Sequence, residues 1–277
     1  TYSGKTKTKT IDVNAIGLYT VDCYAALFNN ASYSEISTAA KNGTAASMWS
    51  IGDAKAVVLN GTVGAYAFSN ETTYMFLIAF DHNSSVEMSG AHHIICSFAK
   101  SAATGGKDIA FTDSHYDGYT SNPCFHMNSS QKNRGGWASS YMRQTICSQF
   151  KNYMPSDLQA VLRTRTIYTD NNGNATNNAS DVTATTDTVY IPSEFEVQGA
   201  REHSNSYEHN HQQQLAYYKN GASKIRYKSE YQSALALWWV RSPFYGFDDS
   251  FCIVTASGRP NLADAGNSGG FAPLITL

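Results

Sequence analysis

The segment that most constrains this chain lies near its C-terminus. Trp238-Trp239-Val240-Arg241-Ser242-Pro243 packs two indoles, a guanidinium and a proline into six residues, and Gly258-Arg259-Pro260 and Gly269-Gly270-Phe271-Ala272-Pro273-Leu274 follow it. Along a strand successive side chains face opposite sides. Trp238 and Trp239 therefore each need their own cover, one in the core and one under loops or a helix. Arg241 shares a face with Trp239, where a guanidinium can stack on a ring or bridge buried carbonyls. Pro243 ends the run. The expectation is a compact, aromatic-cored unit that closes the chain, with strands near 236–241, 251–255 and 271–277.

Upstream, strand and helix patterns mix without a β-α-β alternation, which predicts an α+β domain. A short helix over 34–41 stops at Asn42-Gly43. Ala56-Val57-Val58-Leu59 reads as a strand and Asn60-Gly61 as a tight hairpin turn. Strands over 74–80 and 93–98 complete an antiparallel meander. Residues 101–136 read as long surface loops. A helix is expected over 136–154, with Met142, Ile146 and Phe150 on one face, and another after Pro155 carrying Leu158, Val161 and Leu162. The Asn- and Thr-rich stretch 170–186 reads as a mobile hairpin tip. Ser193-Glu194-Phe195-Glu196 is a capping box, and a helix follows over about 208–218. Residues 1–28 open with Lys5-Thr6-Lys7-Thr8-Lys9-Thr10, a Thr/Lys-alternating strand with too few apolar side chains to bury itself. They read as an attachment segment, exposed strand or linker, cut from a longer polypeptide, with the domain itself at 29–277.

Charged residues make up only 15% of the 277-residue chain, against 42% hydrophobic residues and 18 tyrosines, and the net charge is −2. That balance gives no basic footprint for nucleic acid, and no apolar run is long enough for a membrane span. The five cysteines, Cys23, Cys96, Cys124, Cys147 and Cys252, are scattered without a C-x-x-C. They read as free thiols in the core, made in a reducing compartment. Asn-x-Ser/Thr triplets begin at Asn30, Asn42, Asn60, Asn70, Asn83, Asn128, Asn174 and Asn178, and in so polar a chain they read as chance.

The Trp238–Pro243 block with its Gly/Pro ending resembles the bacterial and phage family DUF6273. The helix over 34–41 with Trp49-Ser50-Ile51-Gly52-Asp53-Ala54-Lys55 extends the resemblance to about residues 30–277. The resemblance implies a distant kinship to C-type-lectin-like and formylglycine-generating-enzyme-like folds. It implies a non-catalytic phage protein, a tail or head-fibre tip that recognises a bacterial cell-surface glycan or protein. Such a tip is joined to an upstream fibre or virion module and acts as a homo-oligomer, a trimer first. The virion is then its location. A bacterial surface adhesin or carbohydrate-binding module is the alternative, and an unrecognised hydrolase comes third. Formylglycine chemistry needs a reactive cysteine pair on copper, and Cys252 stands alone in the last third. No cofactor is expected.

On that resemblance the ligand site is expected in two loops, 244–250 and 261–268, whose aromatic and small polar residues suit adaptable recognition. The candidates are Tyr245, Phe247, Asp248, Asp249, Asn261, Asp264 and Asn267. Trp238, Trp239, Arg241 and Pro243 are expected as structural support from the strand beneath. Two groups of histidines could also carry chemistry. His203, His209 and His211, beside Glu202 and Glu208, have no i, i+4 metal spacing and read as a solvated polar loop rather than a metal site. Asp81-His82 and His92-His93 sit at adjacent strand ends, and without a nucleophile motif they read as a structural turn.

Overall fold

The computed structural model describes residues 6–12, 18–24, 27–64, 66–101, 107–112, 125–229 and 233–277, with backbone only for 6–12 and 18–24. The largest sheet has five strands. β3 (Ala54–Val63), β4 (Tyr66–Phe80) and β5 (Ile94–Ser97) form the expected meander, and the chain's last strand, β15 (Leu274–Thr276), lies between β5 and β9 (Val189–Tyr190). Every pairing in it is antiparallel. Beside it stand the β12-β13-β14 sheet (Trp238–Pro243, Ser250–Val254, Pro260–Asp264) and the β7-β8 ribbon (Arg165–Asp170, Val182–Asp187). A small sheet runs β11 (Leu235–Ala236), β10 (Arg226–Lys228), β6 (Ile109–Ala110), and β1 (Thr6–Asp12) pairs with β2 (Leu18–Tyr24). Short helices fill the connections: α1 (Tyr33–Lys41), α2 (Ala45–Met48), α3 (Ser84–Glu87), α4 (Gly136–Ser139), α5 (Ser148–Asn152), α6 (Ser156–Gln159), α7 (Glu194–Gln198) and α8 (Ala216–Lys219). The architecture is α+β.

An aromatic cluster holds these layers together. Phe68 of β4, Phe98, Phe111, Phe150 of α5 and Phe271 meet at ring separations of 5.0–6.4 Å, with Phe125 against Phe271 at 5.2 Å. All six are buried. Edge-to-face and tilted pairs of this kind add to what burial itself contributes. α1 starts at a capping box in which Ser32 and Glu35 satisfy each other's backbone N–H groups, and it buries Ile36, Ala39 and Ala40. Phe28 packs edge-on to Trp49 at 5.3 Å, both buried. Cys96, Cys147 and Cys252 are free and buried, as expected of core thiols; Cys124 lies outside the described residues.

Several local expectations are corrected. Asn60-Gly61 is not a turn. β3 runs through it with a register shift between Leu59 and Gly61, and pairing continues to Val63 opposite Tyr66. The Tyr153 ring occupies the space beside Gly61, where a Cβ would fall 1.9 Å from it, so the glycine serves a close approach inside a bulged strand. Residues 101–136 are not all surface loop: Phe111, Phe125, Met127 and Asn133 are buried, while 102–106 and 113–124 lie outside the described residues. The expected helix over 136–154 is broken at Ser140, whose backbone is extended, and resumes as a π-helix over 142–147 before α5. Met142, Ile146 and Phe150 are nevertheless all buried. The helix after Pro155 is confined to α6, and Val161 and Leu162 lie past its end. The helix expected over 208–218 is a 3-10 turn at 208–210 and, separately, α8.

The stretch 170–186 is β8 plus a loop folded onto the domain. Asp170 is buried and accepts from the N–H groups of Asn172 and Gly173. Thr176 donates to the Asp181 carboxylate at 2.6 Å and accepts from Asn172. Gly173 lies so close to Asn133 that a Cβ would fall 2.2 Å from its carbonyl oxygen. Short polar side chains look like solvated coil in sequence, but here they bond one another and pin the loop. In residues 1–28, Thr6–Asp12 and Leu18–Tyr24 form an antiparallel ribbon; the remainder up to residue 26 lies outside the described residues.

Candidate functional site

Two features compete for the role of functional site: a buried charged network, and a pair of surface clefts beneath the predicted loops. The network is built on the capping box of α7. Ser193 and Glu196 bond each other's backbone N–H groups, as their spacing predicts. Glu196 also receives two guanidiniums, with Arg241 on one carboxylate oxygen and Arg165 of β7 3.6 Å from the other. Arg165 pairs in turn with Glu87 of α3. Arg241 further donates to Thr169 Oγ1 at 2.7 Å and to the Ile191 carbonyl at 2.9 Å. A register shift in β12 between Trp239 and Pro243 lets the Arg241 N–H leave the ladder and donate to the Pro192 carbonyl. Arg241 therefore anchors α7 from within β12, the strand that leads into the Phe244–Ser250 loop.

His82, Glu87 and Glu196 bring three potential metal ligands within 4.8 Å of one another. Their chemistry does not suit an ion. Two carboxylates already face two buried guanidiniums, and a divalent cation would have to displace both. Burial, with Arg165 beside it, pushes His82 down to about 3, so it remains a neutral ring. Burial alone would raise Glu196, but Arg241 and Arg165 outweigh it and hold the carboxyl down to about 2. Burial raises Glu208 to about 7 even though it accepts from Asp170 N–H and Ser242 Oγ. All of these groups are shut off from solvent, so the network is internal scaffolding.

The histidine loop is only in part the solvated loop expected: Glu202 and His209 are exposed and His203 and His211 half-buried. Ser204, Asn205, Glu208 and Gln212 are buried and bonded to Glu194, Asp170, Ser242 and Tyr168. The three histidines disperse over separate rings. His203 lies against Phe244, His209 against Phe195, and His211 stacks on Tyr168 at 4.6 Å. Asp81 and His92 do meet, at 2.8 Å, while the other Asp81 oxygen accepts the His93 N–H. Asp81 and Asn83 both hold left-handed backbone, as the turn reading requires. The His92 Nε2 edge rests on Gly43, with no hydroxyl or thiol bonded to it among the described residues.

Of the seven predicted ligand residues, four line two clefts, and Tyr245, Phe247 and Asp249 line neither. Asp248 lines the first, a cavity of about 570 Å³ shared with Asn128, Lys132, Arg134, Tyr141 and Asn174. Asn261, Asp264 and Asn267 line the second, about 480 Å³, against Leu235, Leu237 and Ile253. Tyr245 is half-buried under Arg201, 5.5 Å from its ring. Phe247 is 62% exposed at the rim and packs on Phe244. Asp249 holds the two loops together: its carbonyl accepts Ala265 N–H, and its side chain accepts from Ser250. The expected loop 261–268 is half strand, because Pro260–Asp264 pairs with β13. Trp238 and Trp239 are both fully buried, donating to the Lys224 and Phe125 carbonyls.

The residue that builds the first cleft is Asn133, which lies in a stretch whose sequence pattern reads only as surface loop. It is completely buried. Its Nδ2 donates to the carbonyls of Phe247 at 2.8 Å, Ser250 at 2.9 Å and Phe244 at 3.2 Å, and its Oδ1 accepts Asn174 N–H at 2.7 Å. Its own N–H donates to the Asp248 carbonyl. One side chain thus ties the Phe244–Ser250 loop to the 171–181 loop. Lys132 and Arg134 flank it, and Lys132 meets Asp248 at 2.6 Å. That hydrogen bond from Lys132 keeps Asp248 below the ordinary carboxylate range. Tyr141 is stacked on His126 at 4.6 Å and 2°, and it lines the cleft. No local pattern in the sequence marks Asn133, since the carbonyls it binds lie more than a hundred residues away.

A model of the family described as Domain of unknown function (DUF6273) matches residues 108–277. The chain belongs to the DUF6273 family. The DUF6273 match takes in both clefts, Asn133 and the Trp238–Pro243 block, whereas Trp49–Lys55 precedes it. No curated protein and no solved structure matches the chain. Among the described residues no helix is long and apolar enough to cross a membrane.

Proposed function

We propose that this DUF6273 chain is a non-catalytic recognition module that binds a saccharide in the cleft bounded by Tyr141, Asn128, Lys132, Arg134 and Asp248. The observation that carries this reading is the Asn133 tie, which fixes three chain segments around the cleft before any ligand arrives. Pre-ordered loops spare the entropy that ligand binding would otherwise spend on ordering them. Tyr141 offers a ring already backed by His126, suited to the apolar face of a sugar. The amide, hydroxyl and paired-charge groups around it suit sugar hydroxyls. The one carboxylate lining the cleft, Asp248, is paired with Lys132, and the buried Glu196 with two arginines.

The setting proposed with it is a phage or phage-like particle, in which the module forms a tail or head-fibre tip and repeats as a homo-oligomer. A bacterial surface adhesin is the second reading. A C-type-lectin-like fold belongs to the same proposal; its support is the antiparallel sheets and a terminal strand inserted mid-sheet. A saccharide array probed with wild type and Tyr141→Leu tests the binding reading. Wild type should retain a subset of glycans that the variant loses at unchanged melting temperature. Retention of every bound glycan by the variant, or an array blank for wild type, would overturn it.

A further inference from the structure

We infer that the saccharide taken by this cleft is acidic, and that Arg134 receives its carboxylate or phosphate group; this rests on the recognition reading above. Three charged side chains line the cleft: Lys132, Arg134 and Asp248. Lys132 and Asp248 neutralise each other across 2.6 Å. Arg134 is exposed and makes no hydrogen bond within the protein among the described residues. The cleft therefore carries a net charge of +1, with Lys132 and Arg134 both acting on the single Asp248 carboxylate, on a chain whose net charge is −2.

The backbone from Lys132 to Arg134 is fixed by its buried middle residue. Asn133 is held by the bonds described above, and Gly136 N–H donates to its carbonyl at 2.9 Å. Arg134 thus leaves an anchored backbone with its five donors unspent. A planar guanidinium matches a carboxylate or phosphate with two parallel hydrogen bonds, which an ammonium cannot do. Asn174, whose N–H is bound by Asn133, also lines the cleft. Tyr141 lies on the same cleft, so a ring on the phenol and its acid group on Arg134 are one ligand's two contacts. A neutral sugar would leave the guanidinium's donors to water.

Titrations of glucuronate, glucose 6-phosphate and glucose against wild type, Arg134→Gln and Tyr141→Leu, followed by NMR at low salt, provide the test. Wild type should bind at least one of the acidic sugars about tenfold more tightly than glucose, and the gap should narrow in about 0.5 M NaCl as screening grows. Arg134→Gln should remove the preference, bringing the acidic sugars to the variant's own glucose affinity, at an unchanged melting temperature. Which acidic sugar wins identifies carboxylate or phosphate as the group received. Equal binding of all three sugars by wild type, or an acid preference that survives Arg134→Gln, overturns the acidic assignment and leaves the saccharide reading intact. Binding of all sugars unchanged in Tyr141→Leu, or no sugar bound by wild type, overturns the saccharide reading itself.

Discussion

Replacing Asn133 probes the cleft and the fold through a single side chain. Its Nδ2 has two hydrogens to share among three carbonyls, the closest at 2.8 Å and 2.9 Å, and its Oδ1 takes one N–H at 2.7 Å. That amounts to three full hydrogen bonds, each contributing about 1 kcal/mol net when buried. Asn133→Ala deletes all three and takes these partners from the Phe244 and Phe247 carbonyls and the Asn174 N–H, while the Ser250 carbonyl keeps the Phe244 N–H, so unfolding free energy should fall by about 3 kcal/mol. Asn133→Asp keeps the shape but reverses the chemistry. The two donor hydrogens become carboxylate lone pairs facing three carbonyls, and among the described residues no cationic side chain is hydrogen-bonded to this position. The aspartate should therefore be worse than the alanine at neutral pH and recover part of its deficit in acid, where a protonated carboxyl can donate once. Urea unfolding of the three proteins at about pH 7.5 and pH 5 measures this. An alanine variant within about 0.5 kcal/mol of wild type, or an aspartate variant milder than the alanine, would refute the reasoning, given the usual spread for unstressed sites.

Glu208→Gln should change how stability depends on pH. Burial raises the folded carboxyl to about 7 from an ordinary value of 4.5, so its contribution is full below about 4.5 and lost as pH rises toward 7. The glutamine variant lacks that decline, at most on the order of 1.4 kcal/mol per pH unit, and parallel urea-midpoint curves for variant and wild type would dismiss the claim. His82 acts the other way: held neutral, its contribution is lost as pH falls from 6.5 toward about 3, and in His82→Phe the acid limb of the stability curve should flatten. Glu196→Gln strips the charge facing Arg165 and Arg241 and should cost about 3–5 kcal/mol, read by calorimetry; a loss below about 1 kcal/mol would mean that the network is not a stabilising anchor. Trp239→Ala should destabilise by about 3–5 kcal/mol as a core truncation, whereas half-exposed Tyr245→Ala should leave the melting temperature nearly unmoved, and equal shifts for the two would contradict their placement.

What the residues announced by themselves was local. The capping box at Ser193/Glu196, the meander over β3 to β5, the burial of Trp238, Trp239 and Phe150, and the closing strands follow from hydrogen-bonding groups and periodicity within a few positions. So does the Asp81–Asn83 turn. The tertiary structure alone decided what those elements meet. Glu196 reads as a helix cap, but it is also the counter-ion of two arginines, because β7 and the bulged β12 arrive from 31 residues before and 45 after it. Asn60-Gly61 reads as a turn until Tyr153 comes to lie against the glycine. The loops 244–250 and 261–268 read as one recognition face, yet pairing of Pro260–Asp264 with β13 stiffens half of the second, and the loops line separate clefts. Asn133 had no signal, since a polar residue among Ser, Gln and Lys looks solvated until three distant carbonyls converge on it. Short-range patterns carry the preferences of the backbone. Burial of polar groups depends on partners far along the chain, and only the assembled fold supplies them.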